Sequence, residues 1–441
     1  MKWVLATLVL LVLGLILKLS LLVYSMYVLL GVLLLSRFFT RLWTEQLDAA
    51  RFCDEEALEI GAGIESAVAV QNTGRISIPW LILEESLPRE ALRQLPPRLK
   101  AEGGRLVLAR LPAGKTRVLS YRVKFLARGY YQIGPLLAET GDVFGLHRRF
   151  RILTEPHYVL VLPKVLPLQG YSLASRRPMG ELRLTHRQFE DPTRLCGIRP
   201  YQQGDPLNRI HWRATARAGQ LQSRAYESSC VSGATFLLDF QAESFPGAAA
   251  AGSAELAIVT VASLANAVFL MGRQIGFISN GRDAADRIRE EGWRAEFLSR
   301  DQAQRQVAQA PPNTRLRPVV VETSRSEDRF TRVLAALGRL EQSDGLDFPA
   351  MVSEAAAKIS RDAAVVAVLG RVTPGIAAAL GDLARRGLAV TALVVSFEME
   401  AVPDWAKPPD WAEMLLGQGI DFRVVNSEET IVNLCAEAMV K

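Results

Sequence analysis

The chain has 441 residues, of which 49% are hydrophobic and 22% charged, so it is too apolar for a disordered protein and long enough for two or three domains. Its net charge of +6 is spread along the sequence, whereas nucleic-acid-binding proteins usually concentrate their positive charge, so we expect no nucleic acid as partner. The four cysteines are far apart and have no histidine at ligand spacing, which predicts neither a disulfide framework nor a zinc site.

Residues 1–38 are predicted to form a transmembrane helical hairpin. Residues 4–35 are almost entirely aliphatic, and their one charge is Lys18. A single straight helix over this run would be roughly 48 Å long, more than a hydrocarbon core, and would place Lys18 near its middle. Two spans over residues 4–17 and 19–35 place Lys18 at a turn instead. The alternatives are one tilted helix and a cleaved signal peptide, but a second apolar run, and no small-residue cleavage site, follows Lys18.

Basic residues beside these spans predict their orientation. Lys2 precedes the hairpin and Arg37, Arg41 and Arg51 follow it, against Lys18 alone at the turn. Positive residues are retained on the cytoplasmic side of a membrane. Both ends of the hairpin, and with them the soluble part, are therefore expected to face the cytoplasm. We expect a cell-membrane location, with a bacterial inner membrane as the first candidate.

Short strands are predicted over residues 55–165. The segments with strand character are 60–70, 76–83, 105–109, 116–125, 130–138 and 158–162. Glycines and prolines separate them, and Pro79 within the second segment marks an edge strand or a bulge. Several strands at this spacing, without a long helical pattern, indicate a β-sandwich-like domain.

Residues 166–229 join this domain to the next, and their clearest pattern is that of a capped helix. Asp205 can accept hydrogen bonds as the N-cap, Pro206 suits the first helical position, and Gly219 can end the helix. Apolar residues at positions 207, 210 and 214 would form one stripe along it.

Three arginines of this predicted helix, Arg209, Arg213 and Arg217, fall one above another. Like charges at this spacing repel by about a few tenths of a kcal/mol for each pair, so acidic groups should offset them. Candidate carboxylates in the same segment are Glu190, Asp191 and Glu227. We favour ion pairs with such carboxylates within the chain, and a docking surface for an acidic partner is the alternative.

From about residue 230 the pattern changes to strands that alternate with helices. Strands are predicted over 234–240, 274–279, 318–322, 363–369 and 388–395, and helices over 254–271, 327–340 and 375–386. Such alternation indicates parallel pairing with helices on both faces of the sheet. Residues 230–441 are therefore predicted to form an α/β domain.

The junction segment also contains a long motif. Its fixed positions are Tyr201, Gly204, Asp205, Pro206, Arg209, Ile210, His211, Trp212, Ala214, Thr215, Ala216, Arg217 and Gly219. A second stretch covers residues 128–135 and 141–146. Together these motifs resemble those of the domain-of-unknown-function 58 family, which usually has proline at the position of Val143.

This resemblance implies a β-sandwich-like region followed by a von Willebrand factor A-like α/β domain. The motif residues, with Arg213 among them, would be signature and interaction positions. It also implies partners of two kinds, namely MoxR-type AAA+ ATPases and transglutaminase-like membrane proteins.

The resemblance also places a candidate metal site. Von Willebrand A-like domains often bind Mg²⁺ through an Asp-x-Ser-x-Ser loop, a threonine and a further aspartate, all hard oxygen ligands. Here the first loop keeps Asp239 but has Gln241 and Glu243 at the serine positions. The second loop contains Asp344, and the third has Arg371 where a carboxylate would be expected. We expect a degenerate site without metal, in which Arg371 can neutralise Asp239, and no cofactor.

No catalytic residue is predicted. In a helix that begins at Pro206, His211 lies more than one turn from Asp205. The sequence has no serine elbow, P-loop, zincin or dinucleotide-binding motif. We therefore expect a membrane-anchored scaffold or adaptor that binds other proteins, and not an enzyme. A hydrolase built around residues 204–212 and a purely structural membrane component are the alternatives.

Overall fold

The computed structural model describes residues 2–53, 57–88, 91–92, 96–142, 145, 147–168, 189–202, 210–229, 233–247, 249–285, 316–324, 326–360, 363–397 and 409–434. The described residues divide into two compact units, one up to Leu162 and one from Pro163 onward. Each unit has hydrophobic cores of its own.

The first unit begins with two apolar helices, α1 (Lys2–Ile16) and α2 (Ser20–Glu45), which pack against each other. The predicted turn at Lys18 is confirmed, since Lys18 has a left-handed backbone with a φ of 53°. Gly14 allows the close approach of the helices, because a Cβ there would overlap the Leu22 side chain. α2 is long and apolar enough to cross a membrane, and α1 is a shorter apolar helix.

Eleven strands follow within the described part of this unit. They are β1 (Leu47–Phe52), β2 (Ala57–Glu59), β3 (Gly63–Asn72), β4 (Ile78–Glu85), β5 (Leu99–Gly103), β6 (Leu106–Leu111), β7 (Thr116–Phe125), β8 (Gly129–Ile133), β9 (Leu136–Gly141), β10 (Arg148–Ile152) and β11 (His157–Leu162). They form three sheets, with the orders β1-β3-β7-β5, β10-β9-β4-β6 and β2-β11-β8. Buried and exposed side chains alternate along β3 and β7, the pattern of strands with one face in a core.

One strand prediction in this unit needs correction, and one pair of alternatives is decided. The predicted strand over residues 130–138 is two strands, β8 and β9, which belong to different sheets and are separated by Gly134 and Pro135. The bulge predicted at Pro79 is confirmed by a shift of register between Ile78 and Leu81. The bulge is therefore the alternative that applies, since β4 lies between β9 and β6 and not at an edge.

The second unit contains a two-stranded antiparallel ribbon of β12 (Phe189–Pro200) and β13 (Gln222–Ser229), with the helix α3 (Trp212–Ala218) between its strands in the chain. Irregularities of register interrupt the pairing near Leu195. This ribbon was not predicted, because the sequence pattern of the junction indicates only a helix.

The predicted α/β domain is a six-stranded sheet within the described residues, in the order β17-β15-β14-β19-β20-β21. Its strands are β14 (Gly233–Leu238), β15 (Gln274–Ser279), β17 (Val319–Ser324), β19 (Ala363–Leu369), β20 (Val390–Val395) and β21 (Asp421–Val425), and β16 (Arg282–Asp283) pairs with β18 (Leu340–Glu341). All neighbours in the main sheet are parallel except β17, which is antiparallel to β15. Every residue of β14 and β19 is buried, as is usual for strands covered on both faces.

Helices cover this sheet and complete two hydrophobic cores. They are α4 (Ala250–Leu270), α5 (Glu327–Arg339), α6 (Phe348–Ala355), α7 (Pro374–Arg385), α8 (Asp410–Leu416) and α9 (Glu428–Asn433). α4 also meets the length and hydropathy of a membrane span, but 67% of its apolar window is buried. α4 is therefore a core helix of this unit.

Candidate functional site

The motif helix α3 begins at Trp212, and the backbone before it is extended. Ile210, which is buried, forms an antiparallel bridge with Ser223, and the His211 N–H donates to the Gln222 carbonyl over 2.8 Å. The His211 ring then caps the helix, because its Nδ1 accepts from the Ala214 N–H over 3.1 Å. An accepting Nδ1 leaves the proton of a neutral ring on Nε2.

The predicted helix is therefore wrong at positions 210 and 211. Ribbon pairing holds residues 210 and 211 in an extended conformation, so no continuous helix reaches Trp212 from position 206. Gly204, Asp205, Pro206 and Arg209 lie outside the described residues. The predicted end is confirmed, since Gly219 has a φ of 66° and its N–H donates to the Thr215 carbonyl.

The surface of α3 is dominated by one aromatic ring and two arginines. Trp212 is 68% exposed. Arg213 and Arg217 are also exposed and are one helical turn apart. Arg209, the third arginine of the predicted row, lies outside the described residues. Tyr201 lies half-buried at the end of the ribbon, where its N–H donates to the Leu221 carbonyl over 2.9 Å.

Carboxylates were predicted to neutralise these arginines. The side chains of Glu190, Asp191 and Glu227 lie outside the described part of the chain. Among the described side chains, no carboxylate forms an ion pair with Arg213 or Arg217. Ion pairing at this helix stays a prediction, and the described surface is a solvent-facing pair of cations beside an indole.

A second group of polar residues lies where the loops after β14, β15 and β18 meet. Asp239 is 1% exposed, and its carboxylate accepts from Ser244 Oγ over 2.5 Å and from Asn280 Nδ2 over 2.7 Å. Asn280 Oδ1 in turn accepts from the Phe240 N–H over 2.6 Å. Gln241 forms a parallel bridge with Ser343, which joins the first loop to the loop that contains Asp344.

The third predicted loop also reaches this place. Gly370 packs against the Ser244 carbonyl and the Phe245 ring so closely that a Cβ would overlap both. This meeting point lies at the carboxyl ends of β14 and β19, where the order of a doubly wound sheet reverses and such folds often bind ligands. The three loops named from the resemblance therefore lie close together, and their role as a site stays a prediction.

The Asp239 carboxylate is hydrogen-bonded within the chain. Burial raises the pKa of Asp239, and the hydrogen bonds from Ser244 and Asn280 oppose that shift. Both carboxylate oxygens have donors within the chain, so the described contacts of Asp239 are to these residues and to Gln241, and not to Arg371. Arg371, Glu243 and Asp344 are exposed, and no cluster of three or more ligand side chains occurs in the described ranges. Asp239 therefore acts as a hydrogen-bonded link between loops.

Sequence reasoning missed Asn280. Its signal was its position directly after the strand predicted over residues 274–279, at the carboxyl edge of the sheet.

The second motif stretch, residues 128–135, surrounds a buried ion pair of the first unit. Arg51 Nη2 donates to Glu85 over 2.5 Å, and these side chains are 8% and 0% exposed. Arg51 also donates to the Ile133 carbonyl and to Thr154 Oγ1. A Cβ at Gly134 would overlap the Arg51 guanidinium, and Gly134 has a φ of +86°. The glycine of the motif therefore makes room for the arginine.

The family described as "Protein of unknown function DUF58" matches residues 197–404, which confirms the resemblance over that part. The uncharacterized protein YeaD of Bacillus subtilis is 23% identical over 236 residues, which make up 53% of this chain and 56% of YeaD. The chain thus spans a little over half the length of that curated relative.

Solved structures resemble a smaller part of the chain. The CARDB domain of a Pyrococcus furiosus protein is 17% identical, with coverage of 26% of this chain and 87% of that domain, at a TM-score of 0.17. A FixG-related protein from Vibrio parahaemolyticus is 9% identical, with coverage of 26% of this chain and 96% of that protein, at a TM-score of 0.18.

Proposed function

We propose that this chain is a membrane-anchored scaffold or adaptor, and that the exposed face of α3 binds an acidic surface of a partner protein. The observation that supports this proposal is Trp212, which is 68% exposed at the first residue of the helix. Tryptophan and arginine are the residues most enriched where alanine substitution costs a complex most of its binding energy. Arg213 follows Trp212 in the helix, and Arg217 lies one turn further along.

Charge complementarity favours an acidic partner. Arg213 and Arg217 are exposed and no described carboxylate neutralises them, so an acidic partner would supply the missing negative charge. Arginine binds a carboxylate through two parallel hydrogen bonds, which gives such a contact direction as well as attraction. Burial of the indole would remove about 150–250 Å² of surface from water.

The partner class comes from the family resemblance. The proposed partner is a MoxR-type AAA+ ATPase, with a transglutaminase-like membrane protein in the same assembly. This partner requires α3 to face the cytoplasm, because an AAA+ ATPase binds ATP there. The finer identity of the α/β unit as von Willebrand A-like also belongs to this proposal. The strand order of the α/β unit is common to many doubly wound domains. The identification of this unit as von Willebrand A-like therefore rests on the resemblance.

The test is affinity capture of the tagged full-length chain from membranes in mild detergent. Trp212→Ala should lower recovery of the ATPase by about tenfold or more, since removal of such a residue commonly costs 2 kcal/mol or more. The matched control is Phe52→Ala, which removes a ring of similar exposure, 61%, from β1. Recovery of the same ATPase in equal amounts with Trp212→Ala would contradict the proposal.

Arg213→Ala separates docking from ion pairing within the chain. The docking proposal predicts weaker capture at an unchanged unfolding midpoint, because Arg213 is exposed and has no described partner. A clear drop of the midpoint, with capture unchanged, would instead support the intramolecular ion pairs.

A further inference from the structure

The strand β6 lies at one edge of its sheet and carries two exposed leucines. Among the described strands it pairs only with β4, in the order β10-β9-β4-β6. Leu106 is 59% exposed and Leu108 is 71% exposed, whereas Val107 and Ala109 are half-buried. Side chains at every second position of a strand share one face of the sheet. β6 therefore presents a row of apolar side chains to solvent at the margin of the sheet.

The main chain of β6 has unused hydrogen-bonding groups at the same two positions. The Glu85 N–H donates to the Arg105 carbonyl over 2.9 Å, so residues 85 and 105 form a hydrogen-bonded pair of the ladder. Such pairs recur at every second residue of an antiparallel ladder. Leu106 and Leu108 lie between them, so their N–H and C=O groups point away from β4. In the described part of the chain these groups have no other partner.

The usual protection of an edge strand is missing from β6. Natural proteins block their sheet edges with prolines, bulges, charges or a covering element. β6 contains no proline, and its one charged residue is Arg110. The irregularity of register lies between Ile78 and Leu81 on β4, and residues 106–109 pair without interruption. The edge is therefore open to the addition of another strand.

Charge on this face indicates the chemistry of such a strand. Arg110 shares the face with the two leucines, is exposed and has no ion pair among the described residues. Leu106 has Glu84 as its neighbour on β4. An added strand therefore meets positive charge at Arg110 and negative charge near Leu106. An acidic side chain fits beside Arg110, and apolar side chains fit beside Leu108 and Leu106.

The direction of β6 argues against a second copy of the chain as the added strand. Ser36 Oγ lies 2.9 Å from His147 Nδ1, and Arg151 Nη1 donates to the Thr44 carbonyl over 2.9 Å, so β10 runs in the same direction as α2. β9, β4 and β6 follow in alternating directions, so β6 runs opposite to α2. Two β6 strands related by a two-fold axis are antiparallel. Their hairpins would lie at opposite ends of the pair, and one membrane could not hold both.

We propose that the free edge of β6 binds an extended segment of another protein by antiparallel strand addition. The segment carries an acidic residue beside Arg110 and apolar residues beside Leu108 and Leu106. In this mode of recognition the main-chain hydrogen bonds provide affinity, and the alternate side chains provide specificity. Antiparallel strands also pair slightly more stably than parallel ones. The edge belongs to the first unit, and its binding is independent of docking at α3.

The test uses a fluorescent peptide of sequence Thr-Glu-Thr-Val-Thr-Leu-Thr as the probe. Fluorescence anisotropy with the full-length chain in nanodiscs should show saturable binding with a Kd in the micromolar range. The same peptide with N-methyl groups on its valine and leucine should bind about tenfold more weakly, because these two residues donate their N–H groups to β6.

Two variants and a matched control locate the peptide on β6. Leu108→Thr keeps a side chain that favours strands and should weaken binding by about tenfold, because it removes apolar contact. Val118→Thr makes the same kind of change on β7, where Val118 is 57% exposed, and should leave binding unchanged. Arg110→Glu should weaken binding of the original peptide and favour a peptide with lysine in place of glutamate.

These variants change exposed side chains, so their unfolding midpoints should match that of the wild type. Equal binding of the N-methylated peptide would show adsorption through side chains and would overturn strand addition. A wild type without saturable binding, or an equal loss in Val118→Thr, would also overturn the site. A dimer of the chain that disappears in Leu108→Thr would show that a second copy occupies the edge, against the assignment to another protein.

Discussion

At the scale of single residues, the buried pair of Arg51 and Glu85 links the stability of the first unit to pH. Burial raises the pKa of Glu85 from its ordinary value of 4.5 to about 7, although the nearby Arg51 lowers it. Burial and the Glu85 carboxylate also raise the pKa of Tyr121. Three polar side chains therefore share one apolar core, and the proton on Glu85 determines the charge among them.

The direction of the pH effect follows from the two states of Glu85. The unfolded chain loses this proton near pH 4.5, while the folded chain holds it up to about pH 7. Between these values the folded state binds more protons, so the free energy of unfolding falls as pH rises. A shift of this size corresponds to a loss on the order of 3 kcal/mol between pH 5 and pH 8.

Glu85→Gln checks this prediction, because glutamine has nearly the same shape and does not titrate. The free energy of unfolding of the wild type, measured relative to that of this variant, should fall between pH 5 and pH 8. A difference that is flat, or that rises with pH, would contradict the raised pKa.

Residue identities were only partly predictable. Asp239 and the loops around it could be located through the family resemblance and not from the local pattern, since Asp239 falls within the strand predicted over residues 234–240. Ser244 and Asn280, which donate hydrogen bonds to Asp239, could not be located in this way, since they approach from different loops. His211 was predicted within the helix, and its role as N-cap depends on ribbon pairing that no local pattern shows.

At the scale of elements, Gly134 lets the chain pass from β8 to β9 directly beside the Arg51 guanidinium. A Cβ at Gly134 would overlap the guanidinium, whereas at Gly114, which also has a positive φ, nothing lies within 4 Å. Gly114→Ala should therefore cost about 1 kcal/mol of backbone strain. Gly134→Ala should cost about 3 kcal/mol or more, since displacement of Arg51 leaves Glu85 without its buried partner.

Chemical unfolding of the full-length chain in detergent measures both glycine variants. Equal losses at the two positions would show that Arg51 adjusts without cost, and the link between the motif glycine and the ion pair would be wrong.

Some elements were predictable to the residue. The strands over residues 274–279 and 363–369 match β15 and β19, because buried strands of a parallel sheet are short apolar runs with clear ends. Residues 130–138 also alternate like one strand, but alternation does not encode which sheet a segment joins. The helix prediction was wrong at Ile210 for a related reason. Capping residues indicate where a helix can begin, but they do not show that Ile210 pairs with Ser223.

At the scale of the whole molecule, the chain contains an apolar helical hairpin, a β unit packed on the second helix of that hairpin, and a unit with an exposed indole. The order of these parts was predictable from hydropathy and strand spacing. The continuation of α2 to Glu45 was not predictable from hydropathy. The turns after Leu35 carry polar residues, and their buried side packs against the β unit. The orientation of the soluble part and the identity of its partner stay predictions.

The central claim, that α3 meets an acidic partner in the cytoplasm, is tested most directly by photo-crosslinking in intact cells. A photoreactive phenylalanine analogue replaces Trp212 in one chain and Gln220, an exposed residue just past α3, in a matched control. The account predicts one dominant crosslink from position 212, to an acidic surface of a cytoplasmic AAA+ ATPase, and a much weaker one from position 220. Crosslinks from position 212 only to proteins outside the cytoplasm, or equal crosslinks from both positions, would contradict it.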